Sequence, residues 1–322
     1  MTGPEGAAGA VGAAGPVGRR YRVTHRTEYR YGAPVAVSHT VARLLPRHDL
    51  PHQHTVSGRV TVEPEPTRTH THRDGFGNTV TAITLDEPHD HLAVTATSEV
   101  ALRARPEPGP LWWAPWEQAV EATARDTSDE GLRARLCRLD SPRVERGPDL
   151  RALGALAFTP GRPLAEAATA LNDLVHSEFE FLPGATDVTT PVPEVLAERR
   201  GVCQDFAHVV LGALRSLGLG AQYVSGYLET EPPPGQPHLV GSDASHAWVG
   251  LYVPGGGWVD LDPTNALVQP AHHVPVGWGR EYTDVAPVRG VVYGPRSGQE
   301  LAVAVDVTRL SGRGPAQAGR QA

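Results

Sequence analysis

The chain has 322 residues, 29 basic against 36 acidic, and a net charge of −7. That length is enough for two domains, each with its own core. No block of basic residues suggests a nucleic-acid footprint, and no apolar run reaches membrane-spanning length, so neither nucleic acid nor membrane is expected as a partner. Every basic residue is arginine and Ile83 is the only isoleucine, a codon-level bias with one chemical consequence: the chain has no lysine amine of its own. Cys137 and Cys203, the 2 cysteines, give neither a disulfide framework nor a CxxC metal pair. The start, rich in Gly and Ala, lacks the charged opening and apolar run of a secretory signal, so a cytoplasmic, thiol-preserving location is expected.

Residues 1–18 read as a flexible leader and 311–322, "GRGPAQAGRQA" and the residue before it, as a flexible tail. Residues 19–104 hold short alternating runs such as "YRVTHRTEYRY" and "NTVTAITL", rich in Val, Thr and Tyr and broken by turns such as "RDGFGN". That pattern predicts an antiparallel β-domain. A proline-rich hinge, "RARPEPGPLWWAPW", follows, its tryptophans expected to pin it to a neighbour. From there to residue 310 the chain reads as a second domain. It opens with helices, among them "PLAEAATALNDLVHSEF" and "TPVPEVLAERRG", the latter with Thr190 as cap and Gly201 as stop. It closes with strands: "QYVSGYL", "SHAWVGLYV", "GWVDLDP", "RGVVYG" and "LAVAVDVTRL". The order makes the fold class α+β.

Between the two textures lies "RRGVCQDFAHVV". Phe206, Val210, Leu214 and Leu217 recur at three- and four-residue steps, which predicts a helix beginning at Cys203. A thiol there sits beside unpaired backbone N–H groups and the positive end of the helix dipole, a setting that favours a thiolate. Arg200 would add to that effect and Asp205 would oppose it if its side chain pointed the same way. Further on, two strand-like runs flank Pro254-Gly255-Gly256-Gly257, with His246 eight residues before Pro254 and Asp262 eight after. A hairpin would bring the two nearly opposite each other. A carboxylate beside an imidazole fixes its tautomer, and an imidazolium beside a thiol supports nucleophilic attack.

"GVCQDFAHV", "SHAWVGLYV" and "GWVDLDPTN" together resemble the bacterial branch of the transglutaminase-like superfamily, and the "RDGFGN" turn and "GREYTDVAPVRGVVYG" are similar to it as well. The likeness runs from residue 21 to about 310. It implies a papain-like transglutaminase core behind an antiparallel β-domain, with Cys203 as nucleophile, His246 as acid/base and Asp262 as orienter. It also implies a thioester formed from a peptide or protein amide substrate and passed to an amine or to water, with no cofactor. Glu281 in "GREY" departs from the expected "GRDY", outside the triad.

Several residues compete with that reading. Asp260 shares a strand face with Asp262 and could take the third role. Trp248 and Trp258 would pack beside the site or wall a substrate groove, and Cys137 reads as a helix residue without chemistry. The pairs His52/His54, His70/His72 and His89/His91 would each share a strand face, as metal ligands could, but no acidic or cysteine ligand completes a set, and solvent-facing positions are the plainer account. The oxyanion hole would use the Cys203 N–H and a second donor that the sequence does not reveal; Gln204 is close by but is expected to point along the helix. A non-catalytic binding module on the same scaffold is the remaining alternative, and the oligomeric state is left open.

Overall fold

Alternation in the first hundred residues becomes a two-layered β-sandwich. In the computed structural model, which describes residues 18–48, 50–229, 245–295 and 298–310, it comprises β1 (Arg19–Val35), β2 (Val37–Ala42), β3 (Gln53–Glu63), β4 (Arg68–Arg73), β5 (Thr79–Leu85) and β6 (His89–Leu102). The expected leader and tail, Gly18 apart, lie outside the described residues. On β1, Tyr21, Val23, His25 and Thr27 are buried while Arg20 and Arg22 face out, the period-2 signature of a strand with one covered face.

The helices are α1 (Trp116–Arg125), α2 (Asp129–Leu136), α3 (Pro148–Ala157), α4 (Leu164–Glu178), α5 (Val192–Glu198) and α6 (Cys203–Ser216). Two short strands, β7 (Glu180–Phe181) and β8 (Arg200–Gly201), pair in parallel just before α6. Then come β9 (Ala221–Leu228), β10 (Ser245–Val253), β11 (Gly257–Asp262), β12 (Leu267–Val268) and β13 (His273–Gly279). A one-turn α7 (Tyr282–Val285) leads to β14 (Val288–Tyr293) and β15 (Gln299–Arg309). Among the described residues no helix is long and apolar enough to cross a membrane.

Strands β9 to β13 form one antiparallel sheet in the order β12-β11-β10-β9-β13. Its Tyr223, Ala247, Val249, Leu251, Val259 and Leu261 join the helices in the largest core. Helix α6 is apolar nearly all round and buried from Asp205 to Arg215, as a helix wedged between α3 and β10 must be. Strands β9 and β13 also meet the sandwich, where Tyr227, Val274 and Val276 pack with Tyr21, Val23, Val100 and Leu102. The hinge tryptophans divide in role: Trp112 is buried in the helical core, while Trp113 is exposed.

The fold is α+β, as expected, but the boundary at 104/105 does not describe the sheets. Strand β15 pairs with β1 and β14 with β2, giving the sandwich sheets β15-β1-β6-β3 and β14-β2-β5-β4. Residues 288–309, assigned from the sequence to the second domain, therefore complete the first. Their alternation announces strands but carries no mark of which sheet they join. The α5 ends also differ from expectation. Pro191 precedes the first turn, and Arg199, at φ 51°, ends the helix in the left-handed region, two residues before Gly201.

Candidate active site

Cys203 is the first residue of α6, behind an extended Val202. Asp205 turns back to cap the helix: its Oδ2 accepts from Val202 N–H at 2.9 Å and from Thr186 Oγ1 at 2.6 Å. It therefore serves the backbone at the helix start, and burial, against those hydrogen bonds, raises its carboxyl. Gly201 is required by this cap, because a Cβ there would lie 2.6 Å from Asp205 Oδ2. Arg200 is engaged elsewhere, paired with Glu198 at 2.7 Å.

His246 and Asp262 meet on one sheet face, with Nε2 donating to Oδ2 at 2.8 Å. The hairpin register differs by one pair step from the symmetric expectation. Val253 pairs with Gly257 and Val249 with Leu261, so the turn is centred on Gly255 and Asp262 falls level with Trp248, two residues along from His246. The side chains span this diagonal, which is within reach for long residues on a common face. The Cys203 thiol acts on the same imidazole and raises its proton affinity. With Nε2 held by Asp262, Nδ1 is the nitrogen left for the thiol.

The carboxylate is fully buried and crowded with donors. Oδ2 accepts from His246, from His273 Nε2 at 2.7 Å and from Asn265 Nδ2 at 2.8 Å; Oδ1 accepts from the Thr264 and Asn265 amides at 3.0 and 3.2 Å. Burial opposes ionisation, but the hydrogen bonds of His246 and His273, with the charge of His246, prevail and hold the Asp262 carboxyl well below the usual carboxylate range. Burial alone would likewise keep His246 neutral, but Asp262 and Cys203 outweigh it and push the ring up to about 10. Trp248, fully buried, stacks on His246 with ring centroids 6.0 Å apart and 29° between planes. Gly226 makes room for it, since a Cβ there would sit 2.4 Å from the indole.

Among the described residues, His246, Asp262 and His273 are the group whose ligand atoms lie close enough to hold a metal, within 4.8 Å of one another. Both imidazoles, however, point Nε2 at one carboxylate oxygen at hydrogen-bond distance, the arrangement of two N–H donors on an acceptor. The other histidine pairs do not converge: His70 and His72 are exposed on β4, and His89 is buried at the start of β6.

Asp260, the competitor for the third role, forms a buried ion pair with Arg105 at 2.7 Å. Together with His52, Trp258, Gln222 and Trp278 it lines a separate cavity of about 180 Å³. Trp258 thus belongs to that cavity, whereas Trp248 flanks the candidate triad. Cys137 is fully buried at the end of α2, where burial pushes the thiol up to about 11. Two contributors escaped sequence reasoning. Asn265 lay in view within "DPTN", and His273 follows a connection from β12, at one edge of the sheet, to β13, at the other.

Residues 21–101 match the family model of the bacterial transglutaminase-like N-terminal region, and residues 155–263 match that of the transglutaminase-like superfamily. The chain belongs to this superfamily. It is 41% identical over 297 residues to an uncharacterized protein of Mycobacterium tuberculosis, covering 91% of this chain and 94% of that one. Over 153 residues, 46% of this chain and 22% of its relative, it is 31% identical to a protein-glutamine gamma-glutamyltransferase of Pseudomonas aeruginosa. A crystal structure from Cytophaga hutchinsonii, described as a candidate cysteine protease, superposes with a TM-score of 0.69 at 18% identity over 92% of each chain and shares the fold. The family points to a cysteine-based enzyme.

Proposed function

We propose that the chain is a cysteine-dependent acyl-transfer enzyme acting on peptide or protein amides through Cys203, His246 and Asp262. The observation that carries this reading is the alignment of a partly exposed thiol at a helix start, an imidazole whose proton affinity that thiol raises, and a buried carboxylate at 2.8 Å behind the imidazole. With its proton passed to His246, the Cys203 sulfur attacks the amide carbonyl, and the oxyanion that develops is met by N–H groups of the first turn of α6. His246 gives its proton to the departing amine as the C–N bond breaks, leaving a thioester. The ring then accepts a proton from the incoming nucleophile, whose attack releases the acyl group and restores the thiol. Asp262 holds the ring in register and stabilises its charged form.

The acceptor decides the outcome. An amine acceptor makes the enzyme a transglutaminase, the reading favoured by the Pseudomonas relative's name. Water makes it an amidase or peptidase, and both routes share the thioester. A glutamine-containing peptide pool incubated with a small primary amine and analysed by mass spectrometry separates them. Amine adducts on glutamine mean transfer, and deamidated or cleaved peptides without adducts mean hydrolysis. Either product must vanish with Cys203→Ala. Products that persist in that variant would overturn the assignment of Cys203.

A further inference from the structure

The Asp262 carboxylate oxygen that holds His246 is shared. His273 Nε2 lies 2.7 Å from Asp262 Oδ2, marginally closer than His246 Nε2 at 2.8 Å. His273 is 1% exposed, and its ring is fixed edge-on against Trp248 at 4.9 Å and His246 at 5.5 Å. Its other nitrogen, Nδ1, is buried with no hydrogen-bond partner among the described residues. A proton on Nδ1 would be a buried donor without an acceptor, so the single proton of a neutral ring belongs on Nε2, directed at Asp262.

We propose that His273 is a positioning residue: as a neutral Nε2–H donor it clamps Asp262 Oδ2 toward His246 and takes a share of the negative charge that His246 would otherwise divide only with the Asn265 amide. The inference rests on the Cys203–His246–Asp262 reading for its catalytic meaning, although the clamp itself is a matter of geometry. Two consequences follow from one oxygen serving His273 and Asn265 Nδ2 as well as His246. The carboxylate cannot rotate away from His246 without also breaking its bond to His273. And each donor dilutes the charge available to the others, so the imidazolium at His246 is held less tightly than it would be without His273, easing proton release to the leaving amine.

The charged and titratable groups around the pair are few. His246 faces Asp262, Cys203 and His273; His273 faces Asp262, His246 and His272. Burial, with the charges of His246 and His272, lowers the His273 ring despite Asp262, in keeping with a neutral donor.

The test is nitrogen NMR of histidine-labelled full-length protein, which needs no substrate and so stands or falls apart from the acyl-transfer reading. In the wild type, His273 is expected to stay neutral with a protonated Nε2 and bare Nδ1 while His246 titrates. A His273 protonated on Nδ1, or charged at neutral pH, would overturn the proposal, whatever the variants do. In His273→Phe, which keeps a ring but no donor, the His246 midpoint should move up by about one pH unit. His273→Gln, which can return an N–H, should restore it to within a few tenths of a unit of wild type. An unmoved midpoint in His273→Phe, or Phe and Gln variants that behave alike, would show His273 to be packing only. Should His273→Phe fail to fold, the wild-type tautomer and the Gln variant still decide the matter. If the NMR results hold but Cys203→Ala retains full turnover, the clamp stands and the catalytic reading falls.

Discussion

Asn172, buried on α4, donates its side-chain amide to the main-chain carbonyl of Asp262 at 3.1 Å. The same amide reaches the Leu267 carbonyl at 3.4 Å, so one side chain in the helical layer ties down both β11 and β12. The carboxylate is thus fixed from two directions, by side-chain donors in front and by its own backbone behind. Asn172→Ala would remove two buried side-chain hydrogen bonds to the main chain, and a loss of about 1–3 kcal/mol is expected in urea titration. Turnover should fall by more than stability alone explains, because Asp262 loses its support. An Asn172→Ala protein as stable and as active as wild type would show that the tie does nothing.

Asp262→Asn removes the charge that sustains the His246 imidazolium. The wild-type alkaline limb of activity should lie near pH 10, where His246 loses its proton. In the variant it should move down toward the ordinary histidine value of about 6.5, with activity reduced about 100-fold or more. The linked stability has a definite sign. A raised ring stabilises the folded state fully below about pH 6.5, and that contribution is lost as pH climbs through 10. Activity limbs that coincide in the two proteins would count against the pair.

Acid should unfold the protein through histidines that are buried neutral. Burial holds His25 down to about 4, and burial with Arg143 and Arg215 nearby holds His208 down to about 3. The unfolded chain protonates its histidines near 6.5, so stability is complete above that value and drains away as pH falls through 4 and then 3. His25 alone is worth on the order of 3 kcal/mol across this window. Urea midpoints at pH 7.5 and 4.5 should differ clearly, and equal midpoints would contradict the account. His25→Gln should flatten the dependence.

Removing the last two strands tests the sheet pairing. A chain ending at residue 287 would lose β14 and β15 and uncover β2 and β1, the strands with which they pair. Val305 and Val307 would leave the core shared with Tyr21 and Tyr227. Limited proteolysis should then cut first within residues 19–102, before the helical core is touched. A truncated protein as resistant as the full chain would mean the strands are dispensable to the sandwich.

The parts of this molecule visible in its sequence are those written in local pattern. The alternation on β1, the apolar repeat along α6 and the turn at Pro254–Gly256 each state their element, and Cys203, His246 and Asp262 sit at ends of such elements. The remainder depends on relations between elements. Placing Asp262 level with Trp248 depended on whether the turn is centred at residue 254 or 255, a choice that a run of three glycines does not specify. The affiliation of β14 and β15 depended on which sheet edge was open. His273 reaches Asp262 only because the chain crosses from one sheet edge to the other, and no spacing rule encodes that. Asp260 and Asp262 share a face by parity, yet Arg105, from the segment joining the sandwich to the helices, draws one of them into a different site.

The central claim is that an acyl group passes through Cys203. Acid-quenched intact-mass measurement after brief incubation with a glutamine-containing peptide tests it most directly. The account predicts an adduct equal to the peptide less ammonia, released by hydroxylamine, mapped to Cys203 and absent from Cys203→Ala. Turnover of the peptide by Cys203→Ala, or an adduct mapped to any other residue, would contradict it.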